Sequence, residues 1–310
     1  MDYIVTGGAG YIGGYLVDKL VDIGKVTALD DLSKGTYINN KTNFIKIDLR
    51  DATKANELKL PDQAIIFHLA ANPDVRGSMT NIYEHYSRDV TTTLNVMELA
   101  RKLDAKKVLF ASSSVVYGEA KKLPTPETYT LGPISNYGLF KLQSEEILKY
   151  YSRNYGIKTV SLRIANIIGG RMSHGIIPDF RNKLIENSSE LVILGDGKQR
   201  KSYLYITDAV DAFNHIAHLK SSKKYNVFNI GNVDYTSVDE IATTIEQEMG
   251  LNPKRTYINK LNGRGWEGDV KLMLLDIKKI QKLGWKPKHS SSEAVRLAVK
   301  DLISISMQAN

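Results

Sequence analysis

The chain has 310 residues, 42% of them hydrophobic and 25% charged, with a mean hydropathy of -0.26, the profile of a globular protein with ample interior rather than a disordered or fibrous one. It contains no cysteine, which excludes disulfide frameworks, thiolate nucleophiles and cysteine-ligated metal or iron–sulfur centres. The formal charge of +8 and pI near 9.2 would suit an anionic partner. The basic residues are spread among acidic ones, however, and no zinc finger, single-strand-binding aromatic signature or basic arm accompanies them, so a solvated face is expected, nucleic acid is not, and small anionic ligands stay open.

Met1-Asp2-Tyr3 enters a β pattern at once. No signal peptide is read there and no apolar run is long enough to cross a membrane, so the expectation is a cytoplasmic protein with no membrane partner. Asp2 to Val5 reads as a buried strand, TGGAGYIGG follows, and an apolar-periodic helix spans Tyr11 to Ile23. A second strand, Lys25 to Leu29, ends at Asp30-Asp31 and completes a β-α-β unit. Further strands are predicted at Phe44 to Ile47, Ala64 to Leu69, Lys107 to Ser112 and Lys158 to Ile164, with helices over about 83–103 and 135–153. The alternation predicts an α/β protein: a Rossmann-type parallel sheet with helices on both faces. After Ile164 the segments shorten and proline and glycine rise, with helices expected over 175–188, 207–219, 237–248 and 290–304. The predicted organisation is a dinucleotide-binding domain over 1–165, with returning segments around 200–230, and a smaller mixed α/β lobe for substrate over 166–310.

Gly7, Gly8, Gly10 and Gly13 satisfy both the GxGxxG spacing and the looser GxxGxxG spacing. The chemistry needs small residues there because the backbone turns sharply, approaches a pyrophosphate and lets the helix pack close to the strand, while amides at the helix start receive the phosphate. The glycines follow a predicted strand, open a predicted helix and lead to an acidic residue at the next strand end, which is the context the fingerprint demands. Asp30 there suits the ribose hydroxyls and opposes a 2′-phosphate, so NAD is expected in preference to NADP. Asp48 follows another strand end and reads either as an acceptor for the adenine amine or as a helix cap.

In SNYGLFKLQSE, Tyr137 precedes Lys141 by four residues, on one helix face. A packed aromatic beside a lysine stem and a proton-transfer pair are both compatible with that spacing. TGGAGYIGG, Asp30, HLAA at 68–71, SSSVVYG at 112–118, Tyr137 with Lys141, GDGKQRKSYLYITD and LGWKP together resemble the extended short-chain dehydrogenase/reductase family, and within it the nucleotide-sugar epimerases, over about residues 2–300.

The resemblance implies Tyr137 as the acid/base group, Lys141 as the cation that favours its phenolate and holds the nicotinamide ribose, and Ser113 as the hydroxyl partner, with Ser114 as the fallback. It implies NAD contacts from Gly7, Gly10, Tyr11, Ile12, Gly13, Asp30, Asp31, Asp48, Leu49, Leu69, Ala70, Ala71 and Ser112. Asn166, Lys201 and Arg264, with Ser113, Ser114 and Tyr137, are the implied contacts to a UDP-sugar. The reaction implied is reversible C4 epimerisation of a UDP-hexose through a 4-keto intermediate, with tightly bound NAD recycled, in a homodimer. Dehydratases of the family carry Asp and Glu after the catalytic Thr, where this chain has Ser114 and Val115, which argues against elimination. An epimerase acting on another sugar or carbon, an NAD(P)-dependent reductase, and a catalytically inactive nucleotide-binding protein remain as alternatives.

Two departures stand out. Lys201-Ser202 replaces the family's usual Arg-Asp pair, and Asp89 stands where Asn is common. The six histidines, His68, His85, His174, His215, His218 and His289, are scattered. No metal site is expected, since none lies in a ligand-spaced frame. His68 is expected as a strand-end hydrogen-bonding group, and His174 near the substrate.

Overall fold

A computed structural model describes residues 1–308. In chain order the elements are β1 (Asp2–Thr6), α1 (Tyr11–Leu20), β2 (Lys25–Asp30), β3 (Asn43–Lys46), α2 (Ala52–Glu57), β4 (Ile65–His68), α3 (Ile82–Tyr86), α4 (Thr92–Lys102), β5 (Lys107–Ser113), α5 (Asn136–Tyr155), β6 (Thr159–Ile164), β7 (Asn166–Ile168), α6 (Ile176–Glu186), β8 (Glu190–Leu194), β9 (Arg200–Lys201), β10 (Tyr203–Tyr205), α7 (Ile206–His218), β11 (Tyr225–Ile230), β12 (Thr236–Ser237), α8 (Val238–Met249), β13 (Lys254–Ile258), β14 (Leu272–Met273), α9 (Lys278–Gln281) and α10 (Ser291–Gln308). They fall into two compact units. The first comprises residues 1–118, 131–164 and 210–228; the second comprises 119–130, 165–209 and the chain from Asn229 onward.

The first unit is built on a seven-stranded sheet of order β11-β6-β5-β4-β1-β2-β3. The strands from β3 to β6 pair in parallel. Strands buried on both faces read as continuous apolar runs, and Ile65, Ile66 and Phe67 of β4 are indeed each 2% exposed or less. One core layer joins Ile4, Leu29, Ile66 and Phe110 from the strands to Val96, Met97, Leu99 and Leu148 from α4 and α5. The strand order reverses about β1, which lies between β2 and β4. In open α/β sheets the crevice at such a switch point, beyond the carboxyl ends of the strands, is where ligands bind. The ends of β1, β2, β4 and β5 carry Gly7, Asp30, Leu69 and Ser113.

The structure changes the sequence reading in two places here. The helix expected over 83–103 is α3 and α4 joined by a π-turn at Ser87–Thr91. The edge strand β11, YNVFNI, is not among the strands that the sequence pattern predicts for this sheet. The helix holding Tyr137 is α5, capped by the Ser135 hydroxyl, which accepts from the Gly138 amide, and closed by Gly156 in the left-handed region.

The second unit contains a parallel pair β7-β10, the three strands β12-β9-β14 and the parallel pair β8-β13. Ser237 and Glu240 form a reciprocal capping box at the start of α8, satisfying two orphan donors.

Candidate active site

The turn after β1 is shaped by close approach. Gly7 has φ +71°, and a Cβ there would lie 2.7 Å from the Ala70 nitrogen; a Cβ on Gly13 would lie 2.0 Å from the Gly7 carbonyl oxygen. Neither position tolerates a side chain without displacing backbone. Gly10 caps α1 with no side-chain oxygen over its first turn, so the helix start carrying Tyr11 and Ile12 offers backbone amides to an anion.

Asp30, at the end of β2, accepts from the Ala9 amide at 3.0 Å through Oδ2 and from the Leu32 amide at 2.8 Å through Oδ1. Burial pushes its pKa up against those bonds. The Asp31 amide lowers it too, and a carboxylate with about four acceptor sites has the chemistry that ribose hydroxyls require. Asp31 is held by the Ser33 amide and hydroxyl on one oxygen and by Arg88 on the other; burial raises its pKa but these donors outweigh it and bring it below the usual range. Arg88 also meets Glu84, Glu84 meets Arg50, and Arg50 forks onto Asp48 at 2.7 Å. Asp48 caps no helix. Asp51 does so for α2, accepting from the Lys54 amide. Leu49 is buried, and Leu69, Ala70 and Ala71 are half-buried after β4, where the Leu69 amide donates to the Thr6 carbonyl at 3.1 Å.

Ser113, at the end of β5, is hydrogen-bonded to the Tyr137 hydroxyl. Burial raises the Tyr137 pKa and the Asp89 carboxyl raises it further, against the lowering effect of Ser113. Lys141, 3% exposed, donates to the Ala111 carbonyl at 3.0 Å. Its ammonium lies 4.9 Å from the Phe110 ring centre and 5.5 Å from that of Tyr137. Burial lowers its pKa, while Asp89 and Glu145 oppose that shift. Ser113, Tyr137 and Lys141 are therefore one cluster, one helical turn of α5 facing the end of β5.

A buried ion pair stands behind it. Arg163 of β6 and Glu145 of α5 meet at 2.7 Å with side chains 5% and 1% exposed. The Ser112 hydroxyl donates to Glu145 at 2.5 Å, and Arg163 donates to the Tyr117 hydroxyl at 3.0 Å. Ser112, expected among the cofactor contacts, is fully buried and gives its proton to Glu145. Ser114 opens the short 3-10 turn that follows β5 and is 8% exposed.

His68 is fully buried. Its Nδ1 lies 2.8 Å from the Thr6 hydroxyl and its Nε2 3.0 Å from that of Thr93. Burial, with the Lys141 charge adding, lowers its pKa to about 3. Among the described residues no cluster of His, Asp or Glu fit to hold a metal occurs.

The second unit carries the other residues singled out. Asn166 begins β7 and donates to the Ser202 carbonyl at 3.3 Å. Lys201 of β9 is paired with Asp269 at 2.5 Å, and Arg264 with Glu119 at 2.5 Å. His174 is exposed before α6. Tyr203 is buried, while Tyr205, on the alternate face of β10, donates to Asp301 at 2.7 Å.

The model of the NAD dependent epimerase/dehydratase family matches residues 3–231. The chain belongs to this family. A UDP-glucose 4-epimerase of Lactobacillus helveticus is 30% identical over 320 residues, covering 95% of this chain and 94% of the relative. Two crystal structures are similar throughout. One, of a UDP-galactose 4-epimerase, is 39% identical with a TM-score of 0.88, covering 98% of this chain and 99% of the other. The other, a UDP-glucose 4-epimerase of Thermotoga maritima with UDP-glucose, is 31% identical with a TM-score of 0.89, covering 99% and 100%.

Within this epimerase/dehydratase scaffold, sequence reasoning did not find Glu145 and Arg163 as supports of the cluster. Glu145 follows Lys141 by four residues on the face of α5 that holds Tyr137. A carboxylate on that face was the available signal. Arg163 gave none, since its partner is far in sequence.

Proposed function

We propose that this chain interconverts the C4 epimers of a UDP-hexose, with NAD as a resident cofactor recycled in each turnover. The observation that carries this reading is the cluster of Ser113, Tyr137 and Lys141 at the carboxyl end of β5, in the sheet whose strand β1, beyond β4, leads into the Gly7–Gly13 turn. The residues suit the cofactor: a glycine cradle that side chains would fill, a helix start without a side-chain cap, and Asp30 with spare acceptor capacity. NAD, when bound, supplies the acceptor and then the donor of the sugar C4 hydride.

Tyr137 takes the proton of the C4 hydroxyl as general base and returns it as general acid. A phenol with a raised pKa stays protonated at neutral pH and so is poorly available as a base, and the Lys141 ammonium favours its ionised form electrostatically. Ser113 hydrogen-bonds the same sugar hydroxyl and keeps it in line with Tyr137. Neither Ser114 nor Val115 can protonate a leaving hydroxyl, which favours epimerisation over elimination. The 4-keto sugar, anchored only through its nucleotide, turns about its link to the diphosphate and is reduced on the opposite face. Lys201 and Arg264 hold the diphosphate, Arg264 through a planar fork and Lys201 as a point charge, and Asn166 contacts the sugar nucleotide.

Two copies associate through the face shared by α4 and α5. There Tyr86, Leu94, Leu139 and Tyr150 are each 40% exposed or more, beside Val90 and Ile147, an apolar patch of the kind that marks an interface.

The test incubates the purified protein with UDP-galactose and no added reductant, following UDP-glucose through a coupled dehydrogenase and bound cofactor by absorbance. UDP-glucose formed without net NADH is the expected result. Stoichiometric NADH, or no product even with added NAD, would overturn the reading and move the search to other nucleoside-diphosphate sugars or to reduction.

A further inference from the structure

The π-turn at Ser87–Thr91 widens the helix by one residue where Asp89 sits. Such turns inside α-helices recur at functional sites because they redirect one residue's carbonyl and side chain. Here the Asp89 carbonyl accepts from the Thr93 hydroxyl at 2.6 Å. Its carboxyl is turned inward and is 2% exposed. Oδ1 accepts from the Asn72 amide at 2.9 Å, and Oδ2 is buried with no hydrogen-bond partner.

A carboxylate with room for about four donors and only one supplied is costly to bury unless a cation stands near. Lys141 is that cation: the Ser144 hydroxyl, three residues on along α5, reaches the Asp89 carbonyl at 3.5 Å, which sets the π-turn against the buried face of α5 that carries Lys141. The two charges act on each other, holding Asp89 below and Lys141 above the values burial alone would give. The same carboxyl acts against a phenolate at Tyr137. Other charged or titratable groups also face this centre: Arg88 and His85 favour the Asp89 carboxylate besides holding Asp31 with Glu84 and the Asn72 side chain, Glu145 favours the Lys141 ammonium besides pairing with Arg163, and His68 lies neutral within reach of the Lys141 charge.

We propose that Asp89 is a positioning residue of the proton-transfer centre, its buried carboxylate turned by the π-turn towards Lys141 and Tyr137. Its charge then bears on both partners, and Asp89 sets the pH range in which the pair works. This rests on Tyr137 being the acid/base group proposed above. The sign follows from charge alone. Removing the carboxylate makes phenolate formation easier, which moves the acid limb of the kcat/KM profile to lower pH. It also makes the Lys141 ammonium easier to deprotonate, which moves the alkaline limb the same way.

Asp89→Asn is the probe, because the amide oxygen keeps the bond from Asn72 while the charge is lost. Both limbs of the profile should move to lower pH by about one unit, equivalent to a roughly tenfold gain in kcat/KM on the acid side relative to the profile maximum. A lower but unmoved bell would mean a purely structural role and overturn the proposal. Asp89→Ser, neutral and smaller, should shift both limbs in the same direction; the absence of a shift in both variants would likewise overturn it. A readout independent of turnover is the titration of the Tyr137 ring carbon by NMR of 13C-labelled tyrosine, assigned with Tyr137→Phe. A lower midpoint in Asp89→Asn supports the coupling even if UDP-galactose proves not to be a substrate, and an unchanged midpoint overturns it. Wild-type turnover in Tyr137→Phe would instead overturn the base assignment.

Discussion

Tyr137 has one polar atom, and the proposed reaction asks it to give and take one proton. Tyr137→Phe should keep the fold and bind NAD, measured by cofactor fluorescence, while epimerisation falls at least ~10²-fold. Near-normal turnover would remove Tyr137 from its role. His68 makes a second prediction through its buried, neutral ring. Its folded pKa of about 3 lies below the ordinary histidine value of 6.5. Above 6.5 the imidazole is neutral folded or unfolded, so its contribution is fully present there. As the pH falls from 6.5 towards 3 only the unfolded chain takes the proton, and stability drains at up to about 1.4 kcal/mol per pH unit. Between about pH 7 and pH 5, denaturant titration should show the wild type losing about 2 kcal/mol more than His68→Gln. Equal losses would show a ring that titrates normally. At this scale the sequence was informative where geometry is local. An i,i+4 pair and a serine at a strand end had to converge if the helix packed against that strand. Asp48 was not legible in this way, because its partner Arg50 is itself held by Glu84 from a separate helix.

Lys107 shows how one side chain closes an element. It opens β5 and its ammonium donates to the carbonyls of Ile216, Ala217 and Leu219 at the end of α7, at 3.2, 2.7 and 2.9 Å. A cation there satisfies orphan carbonyls and meets the negative end of the helix dipole. Burial, with Lys158 and Lys106 adding, lowers its pKa to about 8. Lys107→Met keeps the stem and loses all three bonds, so urea denaturation should show a loss of about 2–3 kcal/mol. A loss under about 0.5 kcal/mol would mean that water replaces the ammonium. The long elements were readable because their periods extend over many residues, as in α5 and the buried strands. The π-turn was not, since one extra residue in a helix leaves composition and period almost unchanged. β11 alternates too little to read: three half-buried residues and then three buried ones follow a lysine-rich segment.

Across the molecule, what the sequence conveyed was the order of the elements in the first unit. Its parallel order brings the glycine turn, Asp30, the segment after β4 and Ser113 to strand ends of one sheet. The second unit was less legible because β9, β12 and β14 have two residues each, too short for any periodicity, and their partners are distant in sequence. Among the described residues no helix is long and apolar enough to cross a membrane. The exposed apolar patch on α4 and α5 carries the prediction for assembly. Leu94→Glu combined with Leu139→Glu places four carboxylates in a two-fold contact. Light scattering should then give the mass of one chain, against two for the wild type, and an unchanged dimer would move the interface elsewhere.

The bonds around His68 have a direction. The Thr93 hydroxyl directs its one proton at the Asp89 carbonyl, with the Ser144 oxygen as a second acceptor, so towards His68 it accepts and Nε2 carries the imidazole proton. Nδ1 is then an acceptor and takes the Thr6 hydroxyl proton, while the Thr6 oxygen receives the Ala70 amide. Every link is polarised one way, from the turn after β4 to the π-turn. A row with one permitted orientation and a ring that stays neutral does not relay protons. It fixes a single tautomer, visible as an imidazole 15N pattern with Nε2 protonated across neutral pH, and it leaves the proposed proton transfer to the aromatic hydroxyl of α5.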